Sequence, residues 1–157
     1  MNLLKYIKNP ITPTDLINSV KVSVAENELI LKNLQTEQWS EGKDKNGQII
    51  GVYSEYTEKV AKESGINNKI AGEPYNLDWT GQLKRQTDIK TRTVSNDVLV
   101  QIDSTSPTLL PLFQTIEKYG FLSNPNTIFG YQPQKKDVVI KIIKTTALSK
   151  LKRKLNV

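Results

Sequence analysis

Neither cysteine nor histidine occurs in this chain of 157 residues. Without thiols there is no disulfide framework and no thiolate metal site. Without imidazoles there is no Ser/His/Asp triad, no Cys/His dyad and no histidine-ligated metal. Any catalysis would fall to carboxylates, hydroxyls or amines. Long apolar runs are missing too. The opening MNLLKYIKNPI is broken by Lys5, Lys8 and Pro10 and lacks the apolar core and small-residue cleavage site of a signal peptide; no stretch could span a bilayer. The expectation is a soluble protein made in the cytoplasm, without a membrane partner, in a single domain (1–157) long enough to bury its own core.

The net positive charge belongs to one segment. Residues 135–154 carry Lys135, Lys136, Lys141, Lys144, Lys150, Lys152, Arg153 and Lys154 against Asp137 alone, so this segment nets +7 of a chain total of +6 and leaves −1 for the rest. A basic segment on a balanced body is either a contact surface for something acidic or a solvated helix face.

Local signals give an α+β reading: N-terminal helices, a central antiparallel β-hairpin or small sheet, and a long basic C-terminal helix. Thr12, Pro13 and Asp15 form a helix start, followed by Leu16, Ile17, Val20 and Val24 on one face. The next stretch, ELILKNL, fits a continuation of that helix or a short strand. Asp44-Lys45-Asn46-Gly47 reads as a turn, and Ser54 to Gly65 as a short capped helix. Ile89, Thr91 and Thr93 alternate with polar residues, Ser95-Asn96-Asp97 makes a turn, and Val98, Val100 and Ile102 alternate again, which predicts a hairpin. Ser106 and Pro107 open a further helix ending at Gly120. Beyond Pro133 nothing breaks the chain, and Ile140, Ile143, Ala147, Leu151 and Leu155 form a helical stripe, with VVIKII leaving a strand as second choice. The division is a helical arm and loop over 1–79, then a Thr80-Gly81 corner, hairpin, helix and C-terminal helix over 80–157.

Sites of chemistry are weakly signalled. DKNG mimics the middle of a calcium loop, but the first ligand position falls on Gly42 and the twelfth on Tyr53, where a bidentate carboxylate is required. GKDKNGQIIG lacks the ending of a phosphate loop. Glu41, Asp44, Glu58, Glu73 and Asp78 are the carboxylates that a glycosidase-type mechanism could draw on, and EGKDKNG faintly resembles the carboxylates of phage-type lysozymes at the wrong spacing; solvated carboxylates beside turns account for them more simply. Trp39, Tyr53, Tyr56, Tyr75 and Trp79 could form a stacking platform but lie far in sequence from the basic residues, and read better as core and interface anchors. Asp78 or Thr80 would cap a helical turn through QLKRQ, with Gly81 allowing close backbone approach.

Taken in order, LQTEQWSEGKDKNGQIIGVYSEYTEKVAKESG, PYNLDWTGQL, and IEKYG with TIFGYQ before a basic helix resemble short proteins encoded by tailed phages and prophages of Bacteroidetes-type bacteria. The likeness runs over most of residues 33 to 155. The later part is similar in outline to tail-completion or neck proteins of long-tailed phages. The chain departs from the family pattern after Thr80-Gly81, where it has Gln82 and Gln86.

The resemblance implies a virion structural protein assembled in the host cytoplasm. It would be a ring-forming head-tail connector or tail-completion subunit, not an enzyme, with no catalytic residue, metal or cofactor. Its partners would be further copies of itself, portal-side and tail-side virion proteins and, without sequence preference, DNA. Thr80, Gly81, Gly120, Ile128, Phe129 and Gly130 would be architectural: the first two a corner, the others the loop that seats the last helix. Lys150, Lys152, Arg153 and Lys154, with no acid near them in sequence, would contact an acidic partner or DNA. A small basic DNA-binding accessory protein using the same helix is the alternative, and a carboxylate-dependent cell-wall hydrolase the third choice.

Overall fold

A computed structural model describes residues 10–77, 81–104 and 127–155. It is α+β. Helix α1 (Pro13–Glu26) begins with a complete capping box: the Thr12 hydroxyl accepts from the Asp15 N–H, and the Asp15 carboxylate accepts from the Thr12 N–H. The ambiguous ELILKNL is helix. It opens α2 (Glu28–Ser40), separated from α1 by Asn27 alone. The Asn27 amide donates to Ser23 O and crosses to Thr146 Oγ1, so it joins elements instead of capping α2.

The turn expected at residues 44–47 is built by Asp44, whose Oδ1 accepts from Asn46 N–H at 2.8 Å and Gln48 N–H at 2.9 Å. Helix α3 (Glu55–Glu63) follows, capped by the Ser54 hydroxyl, and the chain leaves it at Gly65 with positive φ. The strand-like segments around α3 pair at Val52 and Pro74. Here Gly42 is irreplaceable: at φ 69°, a Cβ would lie 2.4 Å from Pro74 Cβ.

After the four-residue helix α4 (Gln82–Arg85) come β1 (Thr87–Val94) and β2 (Asp97–Ser104), antiparallel, with Ile89 opposite Ile102, Thr91 opposite Val100 and Thr93 opposite Val98. The alternation read from sequence therefore places all six on one face. The helix expected over 106–120 lies outside the described residues. The last element, α5 (Pro133–Leu155), is a helix throughout; its β-branched run gives no strand.

Two cores organise these elements. Trp39, Ile50, Leu83 and Ile128 form one, flanked by Tyr75, Leu77 and Phe129. Val24, Leu31 and Val139 form the other, with Ile89 and Val100 from the hairpin and Ile143 from α5 against them. Helix α5 runs antiparallel to α1 and α2: Tyr131 O–H donates to Leu31 O near its start, Lys150 meets Glu26, and Lys154 meets Asp15. Small residues are buried in both helices of this seam. Ser19 and Ser23 of α1 are buried with hydroxyls bonded to carbonyls of their own helix, and Ala147 of α5 is buried too.

One register expectation is corrected. Ile140 is 51% exposed, and Val139, 5% exposed, takes its place. The true stripe is Val139, Ile143, Ala147 and Leu151, an unbroken i, i+4 row continued by the half-buried Leu155; in the run VVIKII every residue but Lys141 is apolar enough to have held the position.

Candidate functional site

Of the six architectural residues read from the sequence, Thr80 and Gly120 lie outside the described residues. Gly81 has φ 70°, and its carbonyl accepts from Arg85 N–H at 3.1 Å, so it stands at the start of α4. That short helix delivers Leu83 into the core with Trp39 and Ile128.

Residues 128–130 are clamped by α2. Trp39 Nε1–H donates to Ile128 O at 2.8 Å, and its ring meets Phe129 edge to face at 5.7 Å. One turn earlier, Gln35 Oε1 accepts from Gly130 N–H at 3.1 Å while its amide nitrogen reaches Ile128 O at 3.5 Å. Gln38 grips the next step: its amide donates to Gly130 O at 2.9 Å and accepts from Gln132 N–H at 2.8 Å. Both glutamines are fully buried, so these bonds satisfy side chain and extended backbone together. Gly130, at φ 118°, would carry a Cβ 3.3 Å from Lys45 Cβ. The start of α5 is thereby seated on α2, a role no local pattern in LQTEQWS announces.

The basic helix divides into two faces. On the inner one, Lys135 Nζ donates to Leu34 O at 3.2 Å and pairs with Glu37 at 3.3 Å and Glu41 at 3.5 Å. Lys150 pairs with Glu26 and Lys154 with Asp15, each at 2.5 Å. Lys150 and Lys154, which have no acid near them in sequence, thus find carboxylates across the antiparallel seam. Asp15 is lowered from its ordinary 3.8 to about 2, first by its hydrogen bond from Lys154, then by those from the Thr12 backbone and hydroxyl. On the outer face Lys141 and Lys152, and on its two flanks Lys144 and Arg153, are exposed and enter no ion pair among the described residues. Lys152 and Arg153 were singled out from sequence; Lys141 and Lys144 were not, because the eye follows the cluster and not the helical phase.

Three of the five carboxylates considered for hydrolysis, Glu41, Asp44 and Glu58, have structural duties. Glu41 is held below the usual carboxylate range chiefly by its bond from Lys43, with Lys135 adding to it. Asp44 is opposed by its own burial, which raises it, but bonds from Thr127, Gln48 and Asn46 leave it lowered. Glu58 is lowered by Lys62 and by the Ala71 N–H. Glu73 is exposed, and Asp78 lies outside the described residues.

Among the described residues the aromatic side chains form no platform. Trp39 is buried, Tyr53 and Tyr75 meet edge to face at 4.8 Å, Tyr56 is 77% exposed, and Trp79 lies outside the described residues. Beside Tyr53 sits a residue that sequence reasoning passed over. Lys69 is 1% exposed, donates to Asn76 Oδ1, and lies 5.3 Å from the Tyr53 ring centroid. Tyr53 O–H donates to the same Asn76 oxygen at 2.8 Å, and Asn76 N–H donates back to the Tyr53 hydroxyl oxygen at 3.1 Å. Among the described residues no group of three acidic side chains could hold a metal ion, and no helix is long and apolar enough to cross a membrane.

The chain matches no protein-family model, no curated protein and no solved structure.

Proposed function

We propose that the chain is a structural subunit of the neck of a tailed phage, a head-tail connector or tail-completion protein that works by closing into a ring. In this reading it does no chemistry. It is carried within the virion after assembly in the host cytoplasm and joins portal-side to tail-side proteins.

The carrying observation is the amount of apolar side chain left outside. Among the described residues twelve apolar side chains are buried and thirteen large ones are exposed. The exposed ones gather on particular surfaces: Val22, Leu29 and Ile30 around the α1–α2 break, Val52, Tyr56 and Ile70 beside α3, and Val94 and Leu99 on the outer face of the hairpin. Single exposed apolar residues are ordinary, but several such groups on one small chain fit surfaces covered by neighbours. Two different groups meeting head to tail would generate a ring when the rotation closes. The order of motifs resembling phage neck proteins supports the same reading.

The test is Val22→Glu combined with Leu29→Glu. Leu29 is 72% exposed, so the isolated variant should melt within about 0.5 kcal/mol of the parent. Scored by complementation, it should yield few tailed particles. Full-titre tailed particles from a folded variant would overturn the reading.

A further inference from the structure

We propose that the outward face of α5 is a docking strip for the phosphate backbone of duplex DNA. This rests on the connector reading for its setting, a duplex threading the ring, while the binding is a property of the purified chain.

The inference starts from the contrast within one helix. The three cations turned toward α1 and α2, Lys135, Lys150 and Lys154, all have carboxylate partners, whereas Lys141, Lys144, Lys152 and Arg153 have none among the described residues. At 100° per residue, Lys141 and Lys152 fall opposite the buried row of Val139, Ala147 and Leu151, with Lys144 on one flank beside Leu151 and Arg153 on the other beside Val139. Asp137 shares the face, one turn before Lys141, and is its sole acid.

The occupant follows from the chemistry of the strip. From Lys141 to Arg153 the helix advances about 18 Å. Over that length one DNA strand presents roughly five phosphates. Four cations spread along one rigid helix and around about half its circumference suit such a repeating array, which accepts them in any register. An acidic protein would need carboxylates placed individually. The remaining exposed residues of this stretch include Thr145 and Ser149, hydroxyls that also bind phosphate, and the apolar Leu148. The strip has neither aromatic side chains nor base-reading amides between Lys141 and Arg153, so it fits backbone contact without sequence preference.

The experiment is fluorescence anisotropy of a labelled mixed-sequence duplex titrated with the full chain between about 50 and 200 mM salt. With three to four phosphates engaged, log Kobs against log salt should fall with a slope of about −3 to −4. The combined Lys141→Gln, Lys144→Gln, Lys152→Gln and Arg153→Gln variant should melt as the parent does and lose at least about tenfold in affinity at the low-salt end, with most of its slope gone. Lys150→Gln should keep the parent's slope. A quadruple variant that binds with the parent's slope would overturn the proposal. So would a parent that ignores duplex DNA, whether it binds poly-L-glutamate, which would assign the face to an acidic protein, or neither probe. A chain that fails to bind duplex but still enters particles leaves the connector reading standing; one that binds duplex but never enters particles removes that reading alone.

Discussion

Lys150 and Lys152 lie two positions apart on one helix and meet different worlds. The first reaches Glu26 across the seam with α1; the second stands in solvent with no partner among the described residues. The same holds for the neighbours Val139 and Ile140, one buried and the other half-exposed. The inner face of α5 is therefore a structural surface and the outer face an available one. A charge cluster read along the sequence mixes the two, because adjacent helical residues are 100° apart and their surroundings are set by what packs on each side.

The comparison breaks most visibly at its apolar pair. Val139→Asp places an unpaired carboxylate in the core with Val24 and Leu31 and should cost at least about 3 kcal/mol, whereas Ile140→Asp should stay within about 0.5 kcal/mol. Urea melts of the two variants, read by circular dichroism, decide it; equal losses would mean that the two faces are not distinct.

Next in size is the seat of the helix. Gln38→Leu strips partners from the Gly130 carbonyl and the Gln132 N–H together, and should cost roughly 1 to 3 kcal/mol. Trp39→Phe, which keeps a ring but loses the bond to Ile128 O, should fall in the same range, by the same melts.

Smaller still is the ionic seam. Lys150→Gln should lower stability by up to about 1 kcal/mol, and Lys152→Gln should leave the melting temperature unchanged.

The acid limb supplies the smallest and most specific effect. Asp15 is depressed in the fold, so its contribution is complete above its ordinary value of 3.8 and is lost as pH falls through about 2. Lys154→Gln removes the largest cause of that depression. Acid titration of stability should therefore show the variant losing less than the parent between about pH 4 and 2.

What was legible in the sequence was local. The Thr12–Asp15 capping box, the Ser54 cap and the alternation from Ile89 to Ile102 depend on residues within a turn or a strand of each other, and the structure has all three. The continuation of α1 into α2 was open because ELILKNL satisfies both periods, and packing against the hairpin and α5 selects helix. The long-range partners were invisible. Gln35 and Gln38 find residues 128–132 more than ninety positions away, and Lys150 finds Glu26 across 124 positions. Nothing in INNKIAG marks Lys69 as a buried cation, since its burial comes from Tyr53 and Asn76 folding over it. For the candidate site, sequence found the basic helix and most of its apolar row, Ile143, Ala147 and Leu151, but not which of its cations are paired, which requires knowing that α1 lies along it.

The most direct measurement of the central claim is cryo-electron microscopy of purified tailed particles carrying this chain with an epitope tag, together with Fab labelling. The account predicts a closed ring of copies at the neck, with the face of Lys141 and Lys152 turned to the DNA channel. Particles complete without the chain, or Fab density confined to another part of the virion, would contradict it.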